Sequence, residues 1–267
     1  MTLRFGLIVA LLSGATTAFA TCPKPESGRV EIYPTAQILP ENLLRVYIYY
    51  PRAMATSAGL SDIRLLDADG TPMDGVFLPT RENLWSQDRR RLTVLMDPGR
   101  VKTGLDASEA LGRALRSGQS YTLEVSGASP DAVGCVLGHN TTVAFQVGPS
   151  DLDPPDPSQW VLSTPKGGSR DPLTVDLGSP HDHLSLAFRL RVRDAVGLIV
   201  PGQIELSAGE EGWEFTPRMP WAAEPYSLAI EDSLEDLAGN RPGVLFDRPS
   251  GQTPETWLNS LTFQPGI

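Results

Sequence analysis

The chain has 267 residues, with 24 Pro, 25 Gly, 40% apolar residues and a formal net charge of −10. This turn-rich composition without a long polar tract excludes a disordered chain. The acidic balance excludes nucleic acid as a partner, because phosphate-binding proteins carry basic stripes that release counterions, and the run Arg89-Arg90-Arg91 is too short to reverse it.

The first residues read as a secretory signal, with Arg4 as the positive n-region, Phe5 to Leu12 as the apolar h-region and Ala18-Phe19-Ala20 as a small-x-small cleavage site. Residues 1–20 are therefore expected to be a cleaved signal peptide, and the mature chain to be periplasmic, secreted or at the cell surface. Ser13, Gly14, Thr16 and Thr17 close the apolar run short of the ~20 residues that a spanning helix needs. No later stretch qualifies, so the mature chain is expected to lack a transmembrane segment. Cys22 follows Phe19, Ala20 and Thr21, not the Leu-led run of small residues that precedes lipidated cysteines. Export puts Cys22 and Cys135 where disulfides persist, and the two are expected to pair across a separation of 113 residues. The alternative, two free thiols for redox or metal chemistry, lacks the close C-x-x-C spacing that such chemistry commonly uses.

Short alternating runs closed by turn residues recur through the mature region, the pattern of an all-β sandwich. Leu44, Val46, Ile48 and Tyr50 alternate with Arg45, Tyr47 and Tyr49, so one face of this strand is buried and the other wet. A helix is expected over 107–116, where Leu111 and Leu115 sit four apart beside Ala110 and Ala114. It reads as a short insertion in the first half. Four prolines and three aspartates stiffen the segment 148–158, which is expected to link a domain at 21–147 to one at 159–267. Beyond it, Leu184, Leu186, Phe188, Leu190 and Val192 alternate with polar or small residues and read as a strand.

The two halves carry the same features in the same order, the mark of a repeat. The turn Asp67-Ala68-Asp69-Gly70 matches Asp194-Ala195-Val196-Gly197, and Trp85 matches Trp213. Tyr121-Thr122-Leu123 matches Tyr226-Ser227-Leu228, Asp131-Ala132-Val133-Gly134 matches Asp236-Leu237-Ala238-Gly239, and Val143-Ala144-Phe145 matches Val244-Leu245-Phe246. Two related sandwiches explain this better than one large barrel. The spacing of the matched pairs shortens by about twenty residues after the first turn, which places the insertion in the first copy.

These residues resemble the bacterial immunoglobulin-like domain of the SbsA type, found in surface-layer and other exported proteins. Gly118-Gln119-Ser120-Tyr121 and Asp236-Leu237-Ala238-Gly239-Asn240 match its Gly-x-x-Tyr strand and Asp-x-x-Gly-Asn turn, and Tyr50-Pro51-Arg52-Ala53-Met54 matches its Phe-Ser-x-x-Met element loosely. The first copy departs from the pattern with Cys135 where the second has Asn240, and the second with Ala223 where the first has Gly118. The resemblance implies two tandem immunoglobulin-like β-sandwich domains and an exported setting, and it carries no catalytic residues or cofactor.

Chemistry has few footholds. There is no G-x-S-x-G elbow, H-E-x-x-H helix, phosphate loop or dinucleotide fingerprint. His181 and His183 would project from one face of a strand and are the candidate ligands for copper or zinc, although a third ligand is not visible; the other reading leaves both solvated at the mouth of the strand. Asp67 with Asp69, and Asp151 with Asp153 and Asp156, offer calcium oxygens without the spacing of a calcium loop, and read more simply as a hairpin turn and a solvated linker. Among five tryptophans, Trp85 and Trp213 read as core, whereas Trp221 and Trp257 are candidates for surface contact with a sugar or a partner. The pairs Glu210-Glu211 and Glu231-Asp232 read as solvated charge rather than as an acid and base.

The functional expectation is an exported, non-catalytic binding, adhesion or spacer protein of the cell envelope, with no cofactor and with an envelope protein or a glycan as partner. The alternatives are a metal-binding periplasmic protein or metal-dependent enzyme (copper, zinc or calcium), and a carbohydrate-binding module.

Overall fold

The alternation at residues 44–50 is realised as a strand, β3 (Arg45–Tyr49), with Val46 and Ile48 turned into the core and Arg45, Tyr47 and Tyr49 on the opposite face. The computed structural model describes Cys22 and residues 28–102, 112–247 and 256–266. The expected signal peptide, 1–20, lies outside them, as do residues 107–111 of the expected helix.

In the first sandwich, β1 (Glu31–Tyr33), β3, β6 (Arg91–Leu95) and β5 (Leu84–Trp85) form one antiparallel sheet in the order β1-β3-β6-β5. The other sheet runs β2-β8-β7-β4, with β2 (Ile38–Pro40), β4 (Ile63–Leu66), β7 (Ser120–Val125) and β8 (Thr141–Gly148), and β2 lies parallel to β8. Period-two burial on both sheets closes the core: Ile48, Leu92 and Val94 from one, Leu65, Leu123 and Val125 from the other. Each such side chain contributes roughly 1.5–3 kcal/mol over exposure. A single helical turn, α1 (Pro98–Val101), starts where the Asp97 side chain accepts from the Gly99 N–H. Residues 112–116, the described part of the expected helix, are not helical. Leu115 and Ala114 are instead buried in the core, which accounts for their apolar spacing.

The second sandwich repeats the plan. β9 (Val161–Ser163), β10 (Leu173–Asp176), β13 (Gly212–Pro217) and β12 (Gly202–Leu206) take the order β9-β10-β13-β12, and β11 (Leu190–Arg193), β14 (Tyr226–Ile230) and β15 (Ser260–Phe263) form the facing sheet. The aspartate turns superpose in chemistry. Asp67 Oδ1 accepts from the N–H groups of Asp69 and Thr71, as Asp194 Oδ1 does from Val196 and Leu198. Asp131 Oδ1 accepts from Val133 and Cys135, as Asp236 Oδ1 does from Ala238 and Asn240. In each turn the glycine has a φ between 78° and 86°, where a side chain would be strained.

Three expectations are corrected. The match of Trp85 to Trp213 fails, because Trp85 lies on edge strand β5 and Trp213 on β13; the register of β3 with β6 and of β10 with β13 makes Leu92 the counterpart of Trp213. Val244 closes a tight turn that starts at Arg241, Leu245 and Phe246 follow it outside any strand, and the last strand comes later, where Phe263 pairs with Tyr226 as Phe145 pairs with Tyr121. Residues 183–189 form a helix, α2 (His183–Arg189), before the chain extends into β11. The Asp182 side chain caps it by accepting from Ser185 N–H at 2.9 Å. Buried Leu186 and Leu190 are four apart, which satisfies a helix, while Leu190 and Val192 satisfy a strand; Phe188, 53% exposed, serves neither core.

Candidate functional site: the cleft between the sandwiches

The outer face of the β1-β3-β6-β5 sheet is not wet. Its Tyr33, Arg45, Tyr47 and Tyr49 meet the end of the second sandwich formed by α2, the β12–β13 turn and the segment after β14. The Tyr47 hydroxyl donates to both oxygens of buried Asp182, at 3.0 and 2.8 Å, and the Arg45 Nε lies 3.4 Å from the same carboxylate. Burial, and then the Asp182 charge, push the Tyr47 hydroxyl far above its usual range, so it stays a donor. Arg45 also pairs with Glu235, which Arg241 grips from the other side at 2.8 and 3.0 Å.

A second contact lies beside it. Glu210, 1% exposed, accepts from the Thr35 N–H at 2.8 Å and hydroxyl at 3.0 Å. Its φ of 55° is uncommon for a residue with a side chain, and the turn holds it there to deliver the carboxylate across the joint. The expected linker is strapped down as well. Asn42 bonds the Asp151 backbone through both its amide groups, Asn240 reaches the same carbonyl at 3.2 Å, and Pro155 and Pro157 are buried. Leu237 of the second sandwich joins the apolar core of the first, and its carbonyl accepts from the Leu44 N–H.

Between these contacts opens a cleft of about 620 Å³. Five arginines (45, 91, 189, 191 and 241) and three carboxylates (Asp182, Glu231 and Glu235) line it, with Phe188 at its wall. Clefts of several hundred Å³ at domain junctions are common ligand sites.

The residues singled out from sequence fall elsewhere. His181 does not project with His183 from a strand: it bridges Asp236 by its backbone, and its ring is buried against Trp160, with Nδ1 2.8 Å from the Ser179 carbonyl. Burial lowers its pKa to about 4. His183 opens α2 and stacks on Tyr33 at 3.8 Å, with Nδ1 3.7 Å from Glu210. The two rings therefore have different surroundings, and neither is solvated at a strand mouth. Among the described residues no group of three His, Cys, Asp or Glu side chains is arranged to hold a metal ion. Of the carboxylates read as solvated charge, Glu210 is a buried interdomain anchor instead, whereas Glu231 is exposed, as read, and pairs with Arg189 at the surface. Trp221 is not a surface residue: it is 2% exposed, packs edge-on to Tyr226 and Phe263, and its Nε1 donates to the Asp171 carbonyl. The prolines and alanines around it, which suggested an open loop, are themselves exposed, and the ring turns inward onto Phe215, Tyr226 and Phe263. Trp257 is half-buried beside the second core. Cys22 and Cys135 are joined by a disulfide.

Sequence reasoning missed the cleft because its two walls are 90 or more residues apart in the chain. The one available signal was three tyrosines, Tyr33, Tyr47 and Tyr49, on a face that period-two reading assigns to water.

No helix among the described residues is long and apolar enough to cross a membrane. No protein-family model matches the chain, and no curated protein matches it in sequence. Several solved structures overlap it at low identity and low TM-score. A chimeric titin Z1Z2 carrying a decorin peptide has 10% identity and a TM-score of 0.23, covering 74% of this chain and 86% of that one. The N-terminal Ig1-2 module of the Drosophila receptor protein tyrosine phosphatase DLAR has 13% identity and a TM-score of 0.24, covering 78% and 93%. Rst D1-D2 has 9% identity and a TM-score of 0.22, covering 90% and 99%. The assignment of two tandem immunoglobulin-like sandwiches rests on the strand order and pairing of the chain itself.

Proposed function

We propose that the chain is an exported, non-catalytic binding protein of the cell envelope, with residues 1–20 as signal peptide and sandwiches at 21–147 and 159–267 joined by 148–158. The two sandwiches act as one rigid unit, and the cleft between them is the recognition surface. Both copies are assigned to the SbsA-type immunoglobulin-like class on the Asp-x-x-Gly turn that they share and on the Gly-x-x-Tyr strand of the first, where the second has Ala223 for the glycine, and the working location is the periplasm or the cell surface.

The observation that carries this reading is the state of the carboxylates in the cleft. Asp182, Glu231 and Glu235 are each paired with an arginine, and Asp182 also takes the Tyr47 hydroxyl and the α2 cap. Carboxylates held this way build and orient a surface; a general acid or base needs a free oxygen aimed at a reacting atom. Tag-free mature protein used as bait in envelope extract is expected to recover a protein or glycan. It is expected to lose that partner when Phe188→Asp places a charge on the exposed cleft wall. Failure to recover a partner, together with turnover of any substrate by the purified protein, overturns the reading.

A further inference from the structure

The charges around the cleft do not balance. Five guanidinium groups face three carboxylates, in a protein whose net charge is −10. Arg45 and Arg241 share Glu235, Arg45 also sits beside Asp182, and Arg189 holds Glu231. Two half-buried arginines remain, one from each sandwich. Arg191, on β11, donates to the backbone carbonyls of Ala187 and Leu190, which carry no charge. Arg91, on β6, lies beside Tyr49, whose hydroxyl carries no charge, and its Nε is buried with no hydrogen-bond partner. Among the described residues, neither guanidinium lies in an ion pair. A half-buried cation with neutral partners is costly unless an anion completes it.

We propose that the cleft is an oxyanion site, in which Arg91 and Arg191 together hold a small polyanionic ligand against the wall formed by Phe188. The inference rests on the binding role proposed above and specifies its chemistry. A guanidinium offers a planar pair of N–H donors matched to a carboxylate, sulfate or phosphate. The cavity's 620 Å³ suits a compact molecule with more than one anionic group, since one cation comes from each wall. The three carboxylates of the cleft do not repel such a ligand strongly, because each is already neutralised by its own arginine.

Titration calorimetry on the mature protein at low ionic strength tests this with citrate, succinate and inorganic phosphate as probes. Binding of citrate or phosphate is expected, weakening as sodium chloride is added. Arg91→Gln and Arg191→Gln are each expected to lower the affinity about tenfold or more, and the double variant to abolish binding. Arg64→Gln, on an exposed arginine outside the cleft, is expected to leave it unchanged. Should either glutamine variant misfold, Arg91→Lys and Arg191→Lys keep the charge and lose the paired donors, and an intermediate affinity is expected. Citrate binding without phosphate binding identifies a carboxylate ligand, and the reverse a phosphate. Absence of binding by all three probes, or equal binding by the double variant, overturns the oxyanion site. If the double variant still recovers an envelope partner, the binding role survives that failure, whereas substrate turnover removes the role itself.

Discussion

The Asp131 turn of the first sandwich and the Asp236 turn of the second have the same backbone hydrogen bonds and opposite surroundings. The first is open to water at Ala132, Val133 and Gly134, its carboxylate is paired with Arg52 at 2.8 Å, and Cys135 ties it to Cys22. The second is buried against the other sandwich, with Asn240 in place of the cysteine and, among the described residues, no ion pair to its carboxylate. The strand bridged to each turn differs in the same way, with Met54 in the first core and His181 in the second. The turn is therefore carried by its backbone hydrogen bonds and the carboxylate-to-amide bonds, and its flanking positions are free to adapt to what lies beyond, solvent in one copy and a neighbouring domain in the other.

The cores differ as well, and the largest expected effect comes there. Trp213 is fully buried, stacks on Phe215 at 5.9 Å, and donates to the Leu186 carbonyl, whereas its counterpart Leu92 makes only apolar contacts. Trp213→Ala is expected to cost about 3–5 kcal/mol in urea unfolding and to exceed the loss from Leu92→Ala. Equal losses would mean that the aromatic cluster adds nothing beyond volume.

The next contrast is the staple. Replacing Cys22 and Cys135 by Ser opens a link between residues 113 apart and is expected to cost roughly 2–4 kcal/mol, confined to the first sandwich. Reduction of the wild type followed by denaturant titration, with Trp85→Phe to remove an emission source in the first sandwich, would show which sandwich loses stability. A joint shift of both would show that the domain joint couples them. That joint is addressed directly by Tyr47→Phe, which deletes the hydroxyl bonded to Asp182 and is expected to cost about 1.5–3 kcal/mol, the usual range for a hydrogen bond to a charged group. Small-angle scattering should then show a wider spread of interdomain angles; an unchanged profile would assign the rigidity to Glu210 and Thr35 instead.

How much of this was legible in the sequence depends on whether the signal was local. The Asp turns and the β3 alternation are set by residues a few positions apart, and both were read with the correct inward faces at Val46, Ile48 and Tyr50. The helix at 183–189 was not, because the apolar spacing of 184–192 fits both periods until Asp182 caps the first turn. The last strand was misplaced because the second copy inserts residues 241–259 where the first has a short turn. Trp221 is hidden by residues such as Tyr226 and Phe263 that meet it only after folding. The cleft is of the same kind: Arg91 and Arg191 have no relation in sequence beyond residue type.

The smallest effect in the wild type is expected from pH, because two groups at the buried turn oppose each other. Burial, aided by the Asp151 charge, raises the Asp236 carboxyl from 3.8 to about 7, so the folded state keeps a proton that the unfolded chain releases near pH 4. Its contribution to stability is present at low pH and is lost as pH rises from about 4 to about 7. Burial lowers His181 from 6.5 to about 4, so its contribution is present above pH 6.5 and is lost as pH falls towards 4. Each alone gives a slope of up to about 1.4 kcal/mol per pH unit, with opposite sign, and between pH 4.5 and 6.5 the pair nearly cancels. Asp236→Asn, which keeps an oxygen for the Ala238 and Asn240 amides, is expected to leave the histidine slope exposed, with stability falling on acidification relative to wild type. His181→Met, which writes the first copy's residue into the second, is expected to tilt the curve the other way. Denaturant midpoints measured from pH 4.5 to 7 check both signs, and parallel curves for the two variants would mean that the buried turn does not titrate with the fold.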